Sequence, residues 1–384
     1  MGEFTILRIL ILLGIARAAF QGLIVLSLRN NIDRLFIAFP FFALFAARFH
    51  ETEYNYYISQ IGLSLNIVGA YIYGKAYLKT EESLRLLAIW SYVSIIPLSL
   101  CLAFEATNGR NLYYPYLGAR HAMADFREGF RAQGPFAHSI LAGTSGAATF
   151  ALFAPYWKTN RLFSILGTLC CITIIISANS SGPIAATLAS AGVLFAWRWR
   201  HYARFLKWYI ITAIIMLSIY MDRPFYYVMD SIDFTGGSTG WHRARLIEMS
   251  IQHLEEWWLF GTDYTRHWMP TGVSWNPNHT DITNYYIHLG VTGGLALTII
   301  LILSITFSYK KLLLSQSAHL KGSFSRWCLI AALISHAATF ISVSYFDQMY
   351  ATFYLLIALI SNLPSQPTEF TASTPSKTPS KFPQ

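Results

Sequence analysis

Apolar residues arrive along this chain in blocks separated by short polar breaks. The blocks fall at 5–28, 35–48, 56–75, 84–104, 136–157, 161–178, 182–197, 205–221, 289–309, 327–345 and 347–363. Most come close to the roughly 20 residues that an α-helix needs to cross a bilayer with every backbone group bonded inside its own segment. The pattern predicts an all-α, polytopic helical membrane protein with about 11 crossings (10 to 12). The second block is short for a crossing, and the first carries Arg8 and Arg17, so these two depart most from the pattern.

Composition strengthens the picture. Of 384 residues 54% are hydrophobic and 12% charged, about half the charge of a soluble domain and too little to cover a water-facing globule. Aromatic residues such as Tyr56, Tyr57, Trp157, Trp197 and Trp208 sit at block ends, where rings anchor at the headgroup level. The net charge of +9 would fit a nucleic-acid partner, but its distribution excludes that reading. Alternate loops hold Arg29, Arg34, Lys75, Lys79, Arg85, Lys158, Arg161, Arg198, Arg200, Arg204, Lys207, Lys310, Lys311, Lys321 and Arg326 with few acids, which is the positive-inside signature of a cytoplasmic side. Cys101, Cys170, Cys171 and Cys328 all lie within apolar blocks, so neither a disulfide framework nor a zinc spacing is read. The expected organisation is one transmembrane domain over 1–363, with outward loops at 105–135 and 222–288, and a Pro/Ser/Thr-rich disordered cytoplasmic tail over 364–384. No cleavable signal pattern is expected at the N-terminus.

The two long outward loops carry arginines that run against the insertion bias, so something other than topology requires them. If 117–132 is helical, Arg120, Arg127 and Arg131 fall within about 40° of one another beside an apolar stripe of Met123, Phe126 and Phe130. Such a helix lies at the membrane surface, touching either anionic lipid headgroups in general or the anionic headgroup of a lipid substrate. Over 241–258, helical phase places Ile247, Ser250, Ile251, Leu254 and Trp258 on an apolar side and Arg245, Glu248, Gln252 and Glu256 opposite. Arg243 lines up with the apolar side, where a guanidinium needs an anionic partner, and Arg245 is expected to be solvated. Gly261, Pro270, Gly272 and Pro277 then break the helix and lead to His279, where the loop meets the next apolar block.

The pieces Arg131-x-x-Gly134-x-Phe136, then Arg243 followed after 18 residues by Gly261, then His279 followed by Gly290 and Gly293, resemble the O-antigen ligase and O-antigen polymerase superfamily. The resemblance spans 115–295, with the many-helix layout covering the rest. Thr280 stands where that family usually has Asn after the histidine, Trp258 stands where its turn usually has Pro, and the chain is short for the family. The resemblance implies a GT-C-like, inverting glycosyltransferase of the bacterial cytoplasmic membrane that works at the outer face without metal or cofactor. Its donor would be an oligosaccharide on undecaprenyl pyrophosphate, and its acceptor a sugar hydroxyl on a glycan or lipid-linked glycan, as in O-antigen, capsule or exopolysaccharide assembly.

That chemistry accounts for the residue types. An imidazole with an ordinary pKa near about 6.5 can take the proton of an attacking hydroxyl at neutral pH, which assigns His279 as base or acceptor-positioning group. Guanidinium forks hold pyrophosphate oxygens without a metal, which assigns Arg131 and Arg243 to the leaving group, with Arg127 in support. His138 is a candidate for the wall of the same cavity, and Asp281 and Asp347 are candidates for binding the acceptor sugar, against the cheaper readings of helix cap or solvated end for these two acids. Glu51 and Glu53 lie where metal-using GT-C enzymes keep an acid, and the arginine-based reading predicts indifference to chelators. His50-Glu51-x-Glu53 lacks the second histidine of a zinc protease. Two other readings compete: a lipid-linked glycan flippase or polysaccharide transporter, and an intramembrane serine protease using Ser145 in the Gly143-Thr144-Ser145-Gly146 run with His336.

Overall fold

The computed structural model describes residues 6–50, 53–80, 82–117, 130–231, 234, 240–274, 276–317, 324–346 and 348–364. Among these residues the architecture is all-helical, and the β-type pairing is a single bridge between Val273 and Asn276. Each apolar block contains helix, but the first, 5–28, is helical only to Phe20, and 327–345 only to Thr339. The helices are α1 Ile6–Phe20, α2 Asn31–Ala46, α3 Glu53–Ser64, α4 Ala70–Tyr77, α5 Glu82–Asn108, α6 Tyr113–Leu117, α7 Ser139–Phe153 and α8 Arg161–Ala178. They continue with α9 Ser181–Phe195, α10 Leu206–Tyr220, α11 Gly240–Gln252, α12 Leu254–Trp257, α13 Tyr285–Gly293, α14 Leu295–Ser317, α15 Phe324–Thr339 and α16 Met349–Asn362. A π-helical segment, Leu65–Gly69, joins α3 to α4.

Among the described residues, four stretches are long and apolar enough to cross a membrane: Glu82–Asn108, Arg161–Ala178, Ser181–Tyr220 and Leu295–Leu314. Ser181–Tyr220 unites two expected blocks into one run of 40 residues. At 1.5 Å per residue that is about 60 Å, twice a hydrocarbon thickness of about 30 Å. The run is interrupted by the 3₁₀ segment Ala196–Phe205, where Trp199 leaves helical geometry. Helix α10 buries no residue, and Ile210, Ile211, Ile215, Met216 and Ile219 are all exposed. In water this would be a large apolar patch; facing hydrocarbon it is an ordinary outer surface.

The centre is held by small residues. Helix α7 buries nearly every side chain because its Gly, Ala, Ser and Thr positions let α8, α9 and α15 pack closely against it. Several hydroxyls inside the bundle bond within their own helix, as Thr144 does to the Ile140 carbonyl at 2.7 Å, while Ser335 Oγ donates across to the Ala147 carbonyl of α7 at 2.9 Å. At α1, the Arg8 guanidinium donates to Asn66 Oδ1 at 3.0 Å, so the charge that set the first block apart has a polar partner on the neighbouring helix.

The loops that alternate along the sequence segregate to opposite ends of the bundle. Residues 27–33, 75–78, 311, 326 and 361–364 meet at one end. The other end gathers 50, 105–111, 131–136, the α8–α9 turn, the 240–284 region and the 340–348 segment. The first end is tied by a buried polar knot. Asp33 is fully buried, and its Oδ1 accepts from the Tyr71 hydroxyl, the Ser361 hydroxyl at 3.2 Å and Lys75 Nζ at 3.3 Å. Its Oδ2 accepts from the Ser27 amide at 2.9 Å. A buried pair adds little over apolar packing, but removing one partner strands the other charge. Lys75→Met should therefore cost roughly 3–5 kcal/mol, seen as a lower thermal unfolding midpoint in detergent. The double variant with Asp33→Asn should recover part of the loss; an unchanged midpoint in Lys75→Met would contradict the knot.

Candidate functional site

The polar end opposite the Asp33 knot holds the residues singled out by the sequence. Its first component is the segment after α6. Most of the expected helix over 117–132 lies outside the described residues; 130–133 are irregular, and the Ala132 amide donates to the Ser177 carbonyl at 3.0 Å rather than to a carbonyl of its own segment. Arg127 and Arg120 lie outside the described residues. Arg131 is half-buried with its Nε shielded from solvent. The turn that follows is held by a residue the sequence reading passed over. Glu105 is buried at the end of α5, and its carboxylate accepts the Gln133 amide at 3.1 Å and the Gly134 amide at 2.8 Å. Gly134 has φ +57, and a Cβ there would stand 3.0 Å from Leu102, so the glycine of the Arg-x-x-Gly element is a backbone requirement.

The second component is α11. Arg243 is buried at 9% exposure with its Nε shielded, as helical phase predicts. Arg245 faces out and pairs with Glu248 at 2.6 Å, and the Tyr227 hydroxyl donates to the same carboxylate at 2.7 Å. These bonds, Tyr227 first, hold Glu248 below the usual carboxylate range. The expected apolar face is realised only in part. The helix ends at Gln252 and kinks at His253, so the phase is lost: Ile251, Leu254 and Trp258 are exposed, while Leu246, Met249 and Trp257 form the local core.

The third component is the approach to α13. The turn after α12 docks backbone to backbone on α13, with the Thr262 amide on the Val291 carbonyl at 2.9 Å and the Leu295 amide on the Trp258 carbonyl at 2.8 Å. Gly261, at φ +91, permits this because a Cβ there would lie 2.2 Å from the Val291 carbonyl oxygen. Helix α13 is capped by Asn284, whose side chain accepts the Tyr286 and Ile287 amides. Neither His279 nor Asp281 is its cap. His279 is half-buried, with Nδ1 at 3.2 Å from the Thr265 hydroxyl. Burial lowers its pKa below the ordinary 6.5; nearby Asp263 pulls it up and nearby His50 pushes it further down. That direction favours the neutral imidazole.

His50 and Asp263, 213 positions apart, form a pair beside His279 that no local pattern announces. His50 Nδ1 lies 2.7 Å from Asp263 Oδ1 and Nε2 lies 3.0 Å from the Phe260 carbonyl, with the ring stacked on Tyr56 at 3.6 Å. In the sequence, the region around His50 offered only an incomplete zinc signature.

The segments that carry Arg131 and His279 are linked through the α8–α9 turn. Ser177 meets Ala132, Ser181 Oγ accepts the Phe234 amide at 3.3 Å, and Gly182 abuts Ser342. Ser342 lies in the segment that binds 282–285, through Tyr285 N–H to Phe340 O at 2.8 Å and Ser344 Oγ to Ile282 O at 2.5 Å. On the other side, His242 Nε2, next to Arg243, lies 3.1 Å from the Asp281 carbonyl. The segments that carry Arg131, Arg243 and His279 are thus linked, one contact after another, at the same end of the bundle. His138 is placed differently from the expected cavity wall: it caps α7, its Nδ1 accepting the Ile140 amide at 3.2 Å. Asp281 is exposed. Glu51 and Asp347 lie outside the described residues, and Arg266 is spent on the Met269 and Pro270 carbonyls.

The protease dyad is not formed. Ser145 Oγ donates to the Ala142 carbonyl at 2.7 Å, whereas His336 Nδ1 meets the Tyr345 hydroxyl at 2.7 Å. An open groove of about 650 Å³ lies alongside, with Arg223, Tyr227, Trp241, Arg245, Glu248 and Trp268 among its walls.

No family model matches the chain, and no curated protein or solved structure matches it either.

The Glu105 clamp is directly testable. Glu105→Gln removes one acceptor oxygen and turns an NH₂ toward an amide N–H, a loss of roughly 1–3 kcal/mol. Hydrogen exchange at Gln133 and Gly134 should accelerate about tenfold or more; unchanged protection would contradict the clamp.

Proposed function

We propose that this chain is a membrane glycosyltransferase of the O-antigen ligase or polymerase type. In this reading it passes a glycan from an undecaprenyl-pyrophosphate donor to a sugar hydroxyl at the outer face of a bacterial cytoplasmic membrane, with inversion. The about 11 crossings and the GT-C-like layout belong to the same proposal. The observation that supports it is that the segments bearing Arg131, Arg243 and His279 are linked at one end of an apolar helical bundle, with both guanidinium Nε atoms shielded and the His279 pKa lowered by burial.

In the reaction, the acceptor oxygen attacks the anomeric carbon from the face opposite the leaving group and its proton passes to His279. The bond from the anomeric carbon to the pyrophosphate oxygen breaks, and undecaprenyl pyrophosphate leaves with the electron pair. Arg131 and Arg243 offset that developing charge, as guanidinium donors do for phosphate oxygens in a water-poor site. Arg127 supports them. The His50–Asp263 pair sets the electrostatic field at His279. The groove beside Trp241 and Tyr227 offers aromatic faces and the Arg245–Glu248 pair to an acceptor glycan, with Asp281 near its approach.

The alternative, a flippase or transporter of lipid-linked glycans, needs charged or broken helices near the midplane. The buried charges at Asp33 and Lys75 are instead locked in a hydrogen-bonded knot at the opposite end.

His279→Ala, Arg131→Ala and Arg243→Ala should each lower glycan transfer by about 100- to 10,000-fold while the protein remains inserted at normal level. The check is gel analysis of surface polysaccharide in cells deleted for the native gene and complemented with each variant. Normal polymer from all three would sink the proposal. For pH, a base must be unprotonated to act, so the rate should be flat around neutrality. It should fall about tenfold per unit below the His279 pKa, with the acid limb lying below 6.5 because burial depresses that pKa. A limb above 6.5 would exclude His279 as the base.

A further inference from the structure

The kink between α11 and α12 carries a cluster that the transfer chemistry does not use. His253 is the residue at the kink, Glu256 follows one helical turn later, and His267 reaches back from the 3₁₀ segment Arg266–Trp268. His253 Nδ1 lies 2.7 Å from Glu256 Oε1, and His267 Nε2 lies 3.0 Å from the same oxygen. All three donor atoms sit within 4.8 Å of one another. The two imidazole rings are nearly perpendicular, at 89°, with centroids 4.7 Å apart. The second carboxylate oxygen, Oε2, accepts Trp268 Nε1 at 3.0 Å, so Oε1 is turned toward the histidines. Glu256 and His267 are exposed and His253 is half-buried, leaving the point of convergence reachable from solvent.

Two imidazole nitrogens and one carboxylate oxygen, with room for water, are the donor set of a four-coordinate zinc site. Imidazole favours zinc and its transition-metal neighbours over Mg²⁺ and Ca²⁺, which take oxygen ligands. A tetrahedral ion with bonds of about 2.0–2.1 Å spaces its ligands about 3.4 Å apart, so these side chains need shifts of only about 1 Å or less. The indole bond to the far carboxylate oxygen is the kind of outer contact that orients a metal-binding carboxylate. We propose that His253, Glu256 and His267 bind Zn²⁺ and clamp the α11–α12 kink to the 266–268 segment. Two residues before His267 stands Thr265, whose hydroxyl meets His279, so the clamp fixes the strap behind the histidine without joining in the chemistry. The cluster escapes the sequence because the ligands are spaced His-x-x-Glu-x₁₀-His, across a turn of no fixed pattern.

The test uses the full chain purified in detergent without a polyhistidine tag, stripped with EDTA, exchanged into chelator-free buffer and titrated with ZnCl₂ by calorimetry. Metal content is then read after gel filtration. The expected result is about one zinc per chain, reduced to buffer background in the His253→Ala, His267→Ala double variant. His267→Gln, a change at an exposed position, should weaken binding at least about tenfold while leaving the circular dichroism spectrum unchanged. Co²⁺ should give the visible absorption of a four-coordinate N/O site in the native chain and lose it in His267→Gln. Absence of zinc above background in the native chain, or equal zinc in the native chain and the double variant, would overturn the proposal. No glycan substrate enters these measurements, so their outcome is independent of the transferase proposal.

Discussion

Hydrocarbon offers no hydrogen-bond partner, and this constraint orders the whole fold. Backbone groups have to be satisfied inside helices, several hydroxyls of the interior turn back onto their own carbonyls, and charges are driven to the ends or into mutually satisfied groups. The Asp33, Tyr71, Lys75 and Ser361 knot is such a group at one end. At the other end the chain is irregular, and there the backbone is bonded across long sequence distances: Ala132 to Ser177, Tyr285 to Phe340, Thr262 to Val291.

Irregular backbone of this kind positions side chains that no helix could bring together. Glu105 fixes the turn after Arg131, Gly261 lets the loop after α12 lie on α13, and Asn284 caps α13 so that His279 is left free of that duty. Burial then sets the protonation state of His279, and the neighbouring Asp263 and His50 act on it in opposite directions. In the proposed transfer, the two guanidinium groups would stabilise the departing anion and the imidazole would accept the proton.

The helical layout was legible because hydropathy over a span of about 20 residues is a strong, local signal. Arg243 was legible for a related reason: helical phase placed it in line with apolar neighbours, and it is buried. Legibility ended where contacts became non-local. The break at His253 rotated the apolar face away from Ile251 and Leu254, which phase alone cannot foresee. Asp281 is an exposed loop residue, a cheaper role that the sequence had left open, whereas the capping of α7 by His138 went unread. Glu105, His50 and Asp263 belong to pairings across 28 and 213 positions, and two of them sat in segments whose composition pointed elsewhere.

The proposed transfer requires that His279, Arg131 and Arg243 suffice to move a glycan. Its most direct measurement is turnover by the purified chain in proteoliposomes given a lipid-linked oligosaccharide donor and a glycan acceptor, with excess EDTA present throughout. The account predicts an inverted glycosidic product and released undecaprenyl pyrophosphate, at a rate EDTA does not abolish. Movement of the lipid-linked donor across the vesicle without a new sugar bond would contradict it.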